Sequence, residues 1–436
     1  MCSRATTKLQ KAKRNVAYQM YNDAADVTAE VVGDALRITI SQNATGAVST
    51  FEAQMYEYTS YTGSGQKSVR VKALHWHQSV THVFFVQGAY IFRTSNEAAP
   101  LTLTDSSFVD GPLVQEIRLT YGPTHEMFLR VARGGSIEEQ GALQVRFRVG
   151  VLEQNREVIV RYRSDLDAPV FYSDNNGIEV RARVHERSTK FAANYYPMVM
   201  QSHLEGDSRA LSFFSDRTVG VGSQVDGEIE MMLHRRCQYD DGRGMNEPLD
   251  DTTIVYPRFW LLADTVASNH DLAPLVNMRL QYRPRNIYGT AAVAPSEWAA
   301  VRAEYSFLKG DLPRGAHLMS IKTDASEDWS SAVVRVQNIY ESARSGATVS
   351  VDLLELLQAN YSVSNELELT ATQPLDNVDR LDFTRTCLRE YEIMLTDECV
   401  LANTARTTEA WGPLTTVDKV TTLRPMDIRT FRFTFE

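Results

Sequence analysis

The chain reads as mainly β: an antiparallel β-sandwich followed by a smaller C-terminal β domain. Three observations predict this. Apolar residues recur at every second position in many short segments, turn-forming residues separate those segments, and helical spacing is confined to short stretches. The clearest strand is Leu143, Val145, Phe147, Val149 and Val151, alternating with Gln144, Arg146 and Arg148. Successive side chains of a strand point to opposite faces, so one face is apolar and the other carries guanidinium groups. That is a half-buried strand of an antiparallel sheet.

In chain order, a basic stretch from about Thr6 to Met20 has helical spacing. Period-two segments follow at Leu36, Ile38 and Ile40, at Ile117, Leu119 and Tyr121, at Val158, Val160 and Tyr162, and at Ile229, Met231 and Leu233. Asp174-Asn175-Asn176-Gly177 is a turn signal of the kind that punctuates a sandwich. Two more helical candidates run from Ser296 to Leu308 and from Asp352 to Gln358, and Phe431, Phe433 and Phe435 mark a last strand. A composition break near Ala263 to Ala273 suggests a boundary. The expected organisation is a basic segment or linker at 1–28, a central sandwich at 29–264, its continuation at 265–348 and a small β domain at 349–436.

The formal net charge of −10 removes the electrostatic basis for nucleic-acid binding, which rests on Lys and Arg neutralising phosphates. No apolar run approaches a membrane span, and the basic first residues are not followed by the apolar stretch of a secretory signal. Cys2, Cys237, Cys387 and Cys399 are too few for a disulfide framework; Cys387 and Cys399 are spaced to close a short loop. Asn43-Ala-Thr and Asn360-Tyr-Ser are glycosylation sequons, usable in the secretory pathway.

Several segments together resemble the C-terminal region of class II α-mannosidases, glycoside hydrolase family 38, lysosomal type. Val170 to Gly177 and Ala193-Asn194-Tyr195-Tyr196-Pro197-Met198 form one pair, and Gly227 to Arg236 runs into Asp240-Asp241-Gly242-Arg243-Gly244-Met245-Asn246-Glu247-Pro248-Leu249. Gly88-Ala89-Tyr90-Ile91-Phe92, Gly111 to Glu116, Asp311-Leu312-Pro313 and Arg424 to Phe431 fall in the same order. The similarity spans roughly Ala29 to Glu436. It implies a galactose-mutarotase-like sandwich packed beside an N-terminal α/β catalytic domain and a helical bundle. Retaining glycosidases need two carboxyl groups about 5 Å apart, and this family adds zinc. The family's nucleophile and zinc ligands precede the β-rich region, so no catalytic or metal-binding residue is expected in this chain. Zinc is expected in the catalytic half. The implied partners are that half, or self-association in its place, and a mannose-containing glycan; the implied compartment is the lysosome or vacuole.

Within the resemblance, Arg243 is the leading substrate-binding candidate, with Asp241 beside it, because the Asp-Asp-x-Arg-Gly turn reaches toward the sugar pocket in the family. A guanidinium offers fixed planar donors to sugar oxygens or to a carboxylate. The bland alternative is that Arg243 pairs with Asp240 or Asp241 within the turn. Tyr90 is the third candidate, an aromatic residue with a polar tip, set against an ordinary core tyrosine; the preceding Thr81 to Gln87 is more apolar than the family pattern. His75, His77 and His82 have strand spacing for a metal, against solvated or hydrogen-bonded histidines as the default. The acid pairs Asp240/Asp241 and Asp250/Asp251 read as turn caps rather than catalytic dyads. Two rival classes remain: a non-catalytic carbohydrate-binding or structural relative, and an independent mutarotase-like epimerase using a His and a carboxylate.

Overall fold

The computed structural model describes residues 8–60, 88–90, 92–94, 97–134, 141–185, 191–283, 308, 310–323, 331–358, 363–368 and 420–435. The chain forms two compact units, Met1–Pro284 and Arg285–Glu436.

The first unit contains two antiparallel sheets. The ten-stranded sheet runs, edge to edge, through Lys8–Lys11, Leu103–Asp110, Val114–Tyr121, His125–Ala132, Leu143–Val149, Arg258–Thr265, Arg209–Ser215, Gln201–Glu205, Val170–Asp174 and Val180–Val184. The nine-stranded sheet runs through Tyr195–Met198, Val219–Gly222, Glu228–Arg236, Arg156–Ser164, Val48–Thr59, Ala35–Gln42, Ala25–Val32 and Ala17–Tyr21, with Ala99–Pro100 pairing Val48–Thr59. One core joins them. Phe51, Met55, Val158, Val160 and Tyr162 of the second sheet share it with Leu129, Val145, Phe147, Phe213 and Phe259 of the first. Tyr162 meets Phe213 across the layer at 4.8 Å between ring centroids, and Tyr18 meets Phe108 at the same separation.

The alternation read from the sequence matches the burial as far as Val149; Val151, expected on the same apolar face, lies beyond the strand and is 44% exposed. Leu143–Val149 alternates buried and partly exposed residues without a break, with Gln144, Arg146 and Arg148 on the outer side. The N-terminal stretch departs from expectation. Its described residues form strands Lys8–Lys11 and Ala17–Tyr21 rather than a helix. Tyr18 and Met20 are buried while Ala17, Gln19 and Tyr21 are exposed, a period of two. Ladder bonds to Ala25–Val32 outweigh the weak helical propensity of this stretch. Lys8–Lys11 forms an edge strand whose lysines discourage further pairing.

A helix at Val266–Gln281, unmarked by any apolar stripe, follows the last strand of the ten-stranded sheet. It is capped by the Thr265 hydroxyl, which accepts from the Ser268 N–H at 3.2 Å. Ala273 and Val276 pack on Phe214, Trp260 and Leu262, on the outer side of that sheet. Pro274 inside the helix, and Asn269 and Asn277 on its buried side, erase the sequence signal.

The second unit holds a four-stranded sheet, Ala316–Thr323, Ser331–Asn338, Ile428–Phe435 and Val363–Glu368, and a two-stranded ladder of Val349–Val351 with Thr421–Leu423. Its core is Val334, Val336, Val351, Leu353, Leu423, Phe431 and Phe433. The short helix expected after Asp352 is present at Leu353–Gln358, with Asp352 Oδ1 accepting from the Glu355 N–H at 2.8 Å. The Ser296–Leu308 candidate, apart from Leu308, lies outside the described residues.

Phe213 is fully buried between the sheets, so Phe213→Ala should cost about 3–5 kcal/mol. Leu113→Ala, at a side chain 77% exposed, should stay within about 0.5 kcal/mol. Urea denaturation of both variants measures the difference; equal midpoints would contradict the shared core.

Candidate functional site

The outer face of the nine-stranded sheet is polar, although much of it is shut away from water. Directly opposed residues of an antiparallel pair share a face, and opposite charges so placed attract. Following the register across five strands gives the row Glu30, Arg37, Glu52, Arg163, Glu228, which alternates in sign at every step. Arg37 reaches Glu52 at 2.8 Å and Arg163 reaches Glu228 at 2.6 Å. One row along lie Gln54, Arg161 and Glu230, and three along lie Tyr58, Glu157 and Arg235.

Glu157 and Glu230 are both fully buried. Glu230 accepts from the Tyr58 hydroxyl at 2.8 Å, from Arg161 at 2.6 Å and from the Tyr195 hydroxyl. Burial pushes its carboxyl above the ordinary range, and Arg161 and the two hydroxyls pull it part of the way back. Burial and the neighbouring carboxylate also hold the phenols of Tyr58 and Tyr195 far above their usual value, so both remain donors. For Arg161 burial works against the charge, but Glu230 and Glu228 more than reverse it. Glu157 lies 3.2 Å from Arg235 Nε and within 3.9 Å of the buried Cys237 thiol. Its carboxyl is raised by burial, against the pull of Arg235.

This layer holds the segment that carries Tyr90. Phe92 packs edge-on against Tyr58 at 5.6 Å and Tyr195 at 4.7 Å, the two rings whose hydroxyls bind Glu230. Arg235 donates to the carbonyls of Gly88 at 3.0 Å and Ala89 at 3.4 Å. From the other side, Asp241 Oδ2 accepts the Tyr90 N–H at 2.6 Å. The approach is so close that a Cβ at Gly88 would stand 2.6 Å from the Asp241 nitrogen, which explains the glycine.

The structure therefore brings two of the three sequence candidates into contact, Asp241 and Tyr90, and places Arg243 two residues along the same turn. Asp241 is buried; the Tyr90 side chain is 65% exposed and Arg243 is exposed. Asp240 accepts from the Gly242 N–H at 2.9 Å and Asp241 from the Arg243 N–H at 3.2 Å, so these acids cap the turn, with Gly242 and Gly244 at positive φ. The Arg243 guanidinium makes no ion pair among the described residues. Asn43 lies exposed in the hairpin between Ala35–Gln42 and Val48–Thr59. Asn360, the histidines His75, His77 and His82, and the pair Cys387 and Cys399 lie outside the described residues. Among those described, no three His, Cys, Asp or Glu side chains are grouped to hold a metal ion. Sequence reasoning missed Arg235, Glu157 and Glu230, although the Gly227 to Arg236 segment was singled out.

A cleft of about 490 Å³ lies on the ten-stranded sheet, lined by Arg130, Gln144, Trp260, Arg279 and Arg283 among others. Its charge has a local explanation. Arg130 pairs with Glu116 at 2.7 Å, and Arg283 donates to the Leu280 carbonyl while lying 4.3 Å over the Trp260 ring, at a helix end that favours cations.

Residues 58–243, a span containing Tyr90, Asp241 and Arg243, match the family described as Glycosyl hydrolases family 38 C-terminal domain. The lysosomal α-mannosidase of Felis catus is 28% identical over 380 residues, 79% of this chain and 34% of that protein. Alpha-mannosidase 2 of Arabidopsis thaliana is 34% identical over 205 residues, 44% of this chain and 17% of its own. A solved α-mannosidase from Enterococcus faecalis V583 shares the fold, with a TM-score of 0.58 at 12% identity over 98% of this chain and 43% of that one. The chain spans about a third or less of the length of these curated relatives.

The raised Glu157 carboxyl sets a direction for stability. A carboxyl with a folded-state pKa above its unfolded value stabilises fully below the unfolded value and loses that contribution as pH rises through the folded one. The melting temperature of the unaltered chain minus that of Glu157→Gln should therefore be greatest below pH 4.5 and shrink as the pH rises above it. A difference that grows with pH would show Glu157 to be held below its ordinary value instead.

Proposed function

We propose that this chain is the C-terminal β portion of an α-mannosidase, and that its Tyr90, Asp241 and Arg243 surface completes the sugar pocket of a catalytic half lying outside these 436 residues. One observation carries the reading. Gly88 to Tyr90 and the Asp240 to Arg243 turn, about 150 positions apart in the chain, are joined through the Asp241 carboxylate, which leaves a tyrosine ring and a guanidinium exposed. Both side-chain types suit a sugar: the ring offers an apolar face and a hydroxyl, the guanidinium a planar fork of donors.

In this reading Asp241 touches no substrate and instead joins the two segments. Bond cleavage and zinc belong to the catalytic half, and no step of the reaction is assigned to this chain. Terminal α-linked mannose of a glycan is the proposed substrate, and the lysosome or vacuole the proposed compartment. The rival reading, a carbohydrate-binding relative without chemistry, shares this surface and differs in lacking a catalytic half.

The chain by itself should leave an aryl α-mannoside intact, and adding a catalytic half should produce turnover. A hydrogen bond from a charged group is worth about 1.5–3 kcal/mol, so Arg243→Ala should lower kcat/KM of the assembled enzyme about ten- to a hundredfold. Its melting temperature should hold, because an exposed arginine contributes little to stability. Unchanged turnover with a lowered melting temperature would assign Arg243 to the fold; mannoside binding without turnover in any assembly would favour the rival.

A further inference from the structure

We infer that Arg235, anchored by the buried carboxylate of Glu157, is a positioning residue for Tyr90; the inference rests on the reading of this surface as part of a sugar pocket and names what holds it in shape. The guanidinium has three neighbours: Nη2 donates to the Gly88 carbonyl at 3.0 Å, Nη1 to the Ala89 carbonyl at 3.4 Å, and Nε forms an ion pair with Glu157 Oε2 at 3.2 Å. The Asp241 carboxylate takes the Tyr90 N–H at 2.6 Å. Three consecutive residues are thus held by side chains from one strand and the turn after it, while the Tyr90 side chain remains 65% exposed.

That investment is out of proportion to packing. An exposed tyrosine buries little apolar surface, yet it is held through a carboxylate with no access to water, an arrangement costly to desolvate. Phe92 already anchors the following chain between Tyr58 and Tyr195, so the Arg235 contacts act on the Gly88 to Tyr90 backbone itself. The chemistry requires arginine. A lysine ammonium is a point charge on a flexible stem and lacks the rigid fork that meets Glu157 and two carbonyls together.

A β-bulge makes the arrangement possible. Glu228, Glu230 and Met232 lie on the outer face, and strict alternation would continue with His234 and Arg236. The register shift opposite Val158 and Ile159 inserts one residue, so that Arg235 stands directly opposite Glu157. Arg236 instead pairs with Asp250 at 2.7 Å.

The test uses the whole chain with Arg235→Met and Arg235→Lys. Hydrogen exchange followed by mass spectrometry should show the peptide from Gly88 to Phe92 exchanging at least tenfold faster in Arg235→Met. Peptides from Arg156–Ser164 should keep their protection, and Arg235→Lys should restore part of it. In the assembled enzyme, Arg235→Met should raise KM for an aryl α-mannoside more than it lowers kcat, and should have little further effect when Tyr90 is already alanine, as expected for residues acting as one unit. Unchanged exchange at Gly88 to Phe92, or a loss of protection spread evenly over the chain, would overturn the inference, as would full additivity with Tyr90→Ala. Failure of the assembled wild type to turn over the mannoside would count against the proposed function alone, because exchange is read on this chain by itself.

Discussion

Two carboxylates without water around them govern the outer face of the nine-stranded sheet. Glu157 and Glu230 are fully buried, and a buried carboxylate is tolerated only when donors surround it. Their partners are the Arg235 guanidinium and the Cys237 thiol for the first, and Arg161, Tyr58 and Tyr195 for the second. Each donor is thereby fixed in place and fixes something else in turn. The two tyrosine rings form the seat of Phe92, and Arg235 holds the carbonyls before Tyr90. Removing either acid would take a buried counter-charge or acceptor from the donors around it, so the members of the layer depend on one another.

The sandwich supplies the rigidity this layer needs. Behind Arg161 and Glu157, the same strand turns Val158, Val160 and Tyr162 into the shared core, where Tyr162 meets Phe213 of the opposite sheet. One strand thus carries an apolar face against the partner sheet and an ionic face against the Tyr90 segment. The alternating row from Glu30 to Glu228 extends the ionic face over five strands, so each charge has an opposite neighbour, with Arg37, Glu52 and Arg163 also open to solvent. The turn at Asp240 to Arg243 then meets this platform, and Asp241 joins it to Tyr90 through a charge-assisted hydrogen bond from the Tyr90 N–H.

How much of the site was legible depended on how local its cause was. The Asp-Asp-Gly-Arg-Gly turn could be read directly, because acids that cap backbone N–H groups and glycines at positive φ act within three or four residues. Tyr90 and Arg243 were legible as candidates through the resemblance, but that Asp241 binds the Tyr90 backbone was not, since the two are 151 positions apart. The helix at Val266–Gln281 left no stripe to read, because buried Asn269 and Asn277 break it and both are paid for by tertiary hydrogen bonding or packing. At the N-terminus, lysine-rich helical spacing gave way to strands because neighbouring chain offered a ladder to join.

From the sequence alone came the β class, the alternating strands, the polar turns and the likeness of several segments to α-mannosidases, since each depends on residues near one another in the chain or on their order. The tertiary structure alone decided which arginine of the Arg235-Arg236 pair faces Glu157 and the Tyr90 segment. Period two assigns Arg235 to the face of Ile229, Met231 and Leu233; one inserted residue in the ladder reverses the assignment and sets it opposite Glu157. A bulge is a property of two paired strands, and Arg235 and Glu157 lie 78 positions apart, so no local pattern in either strand could contain it.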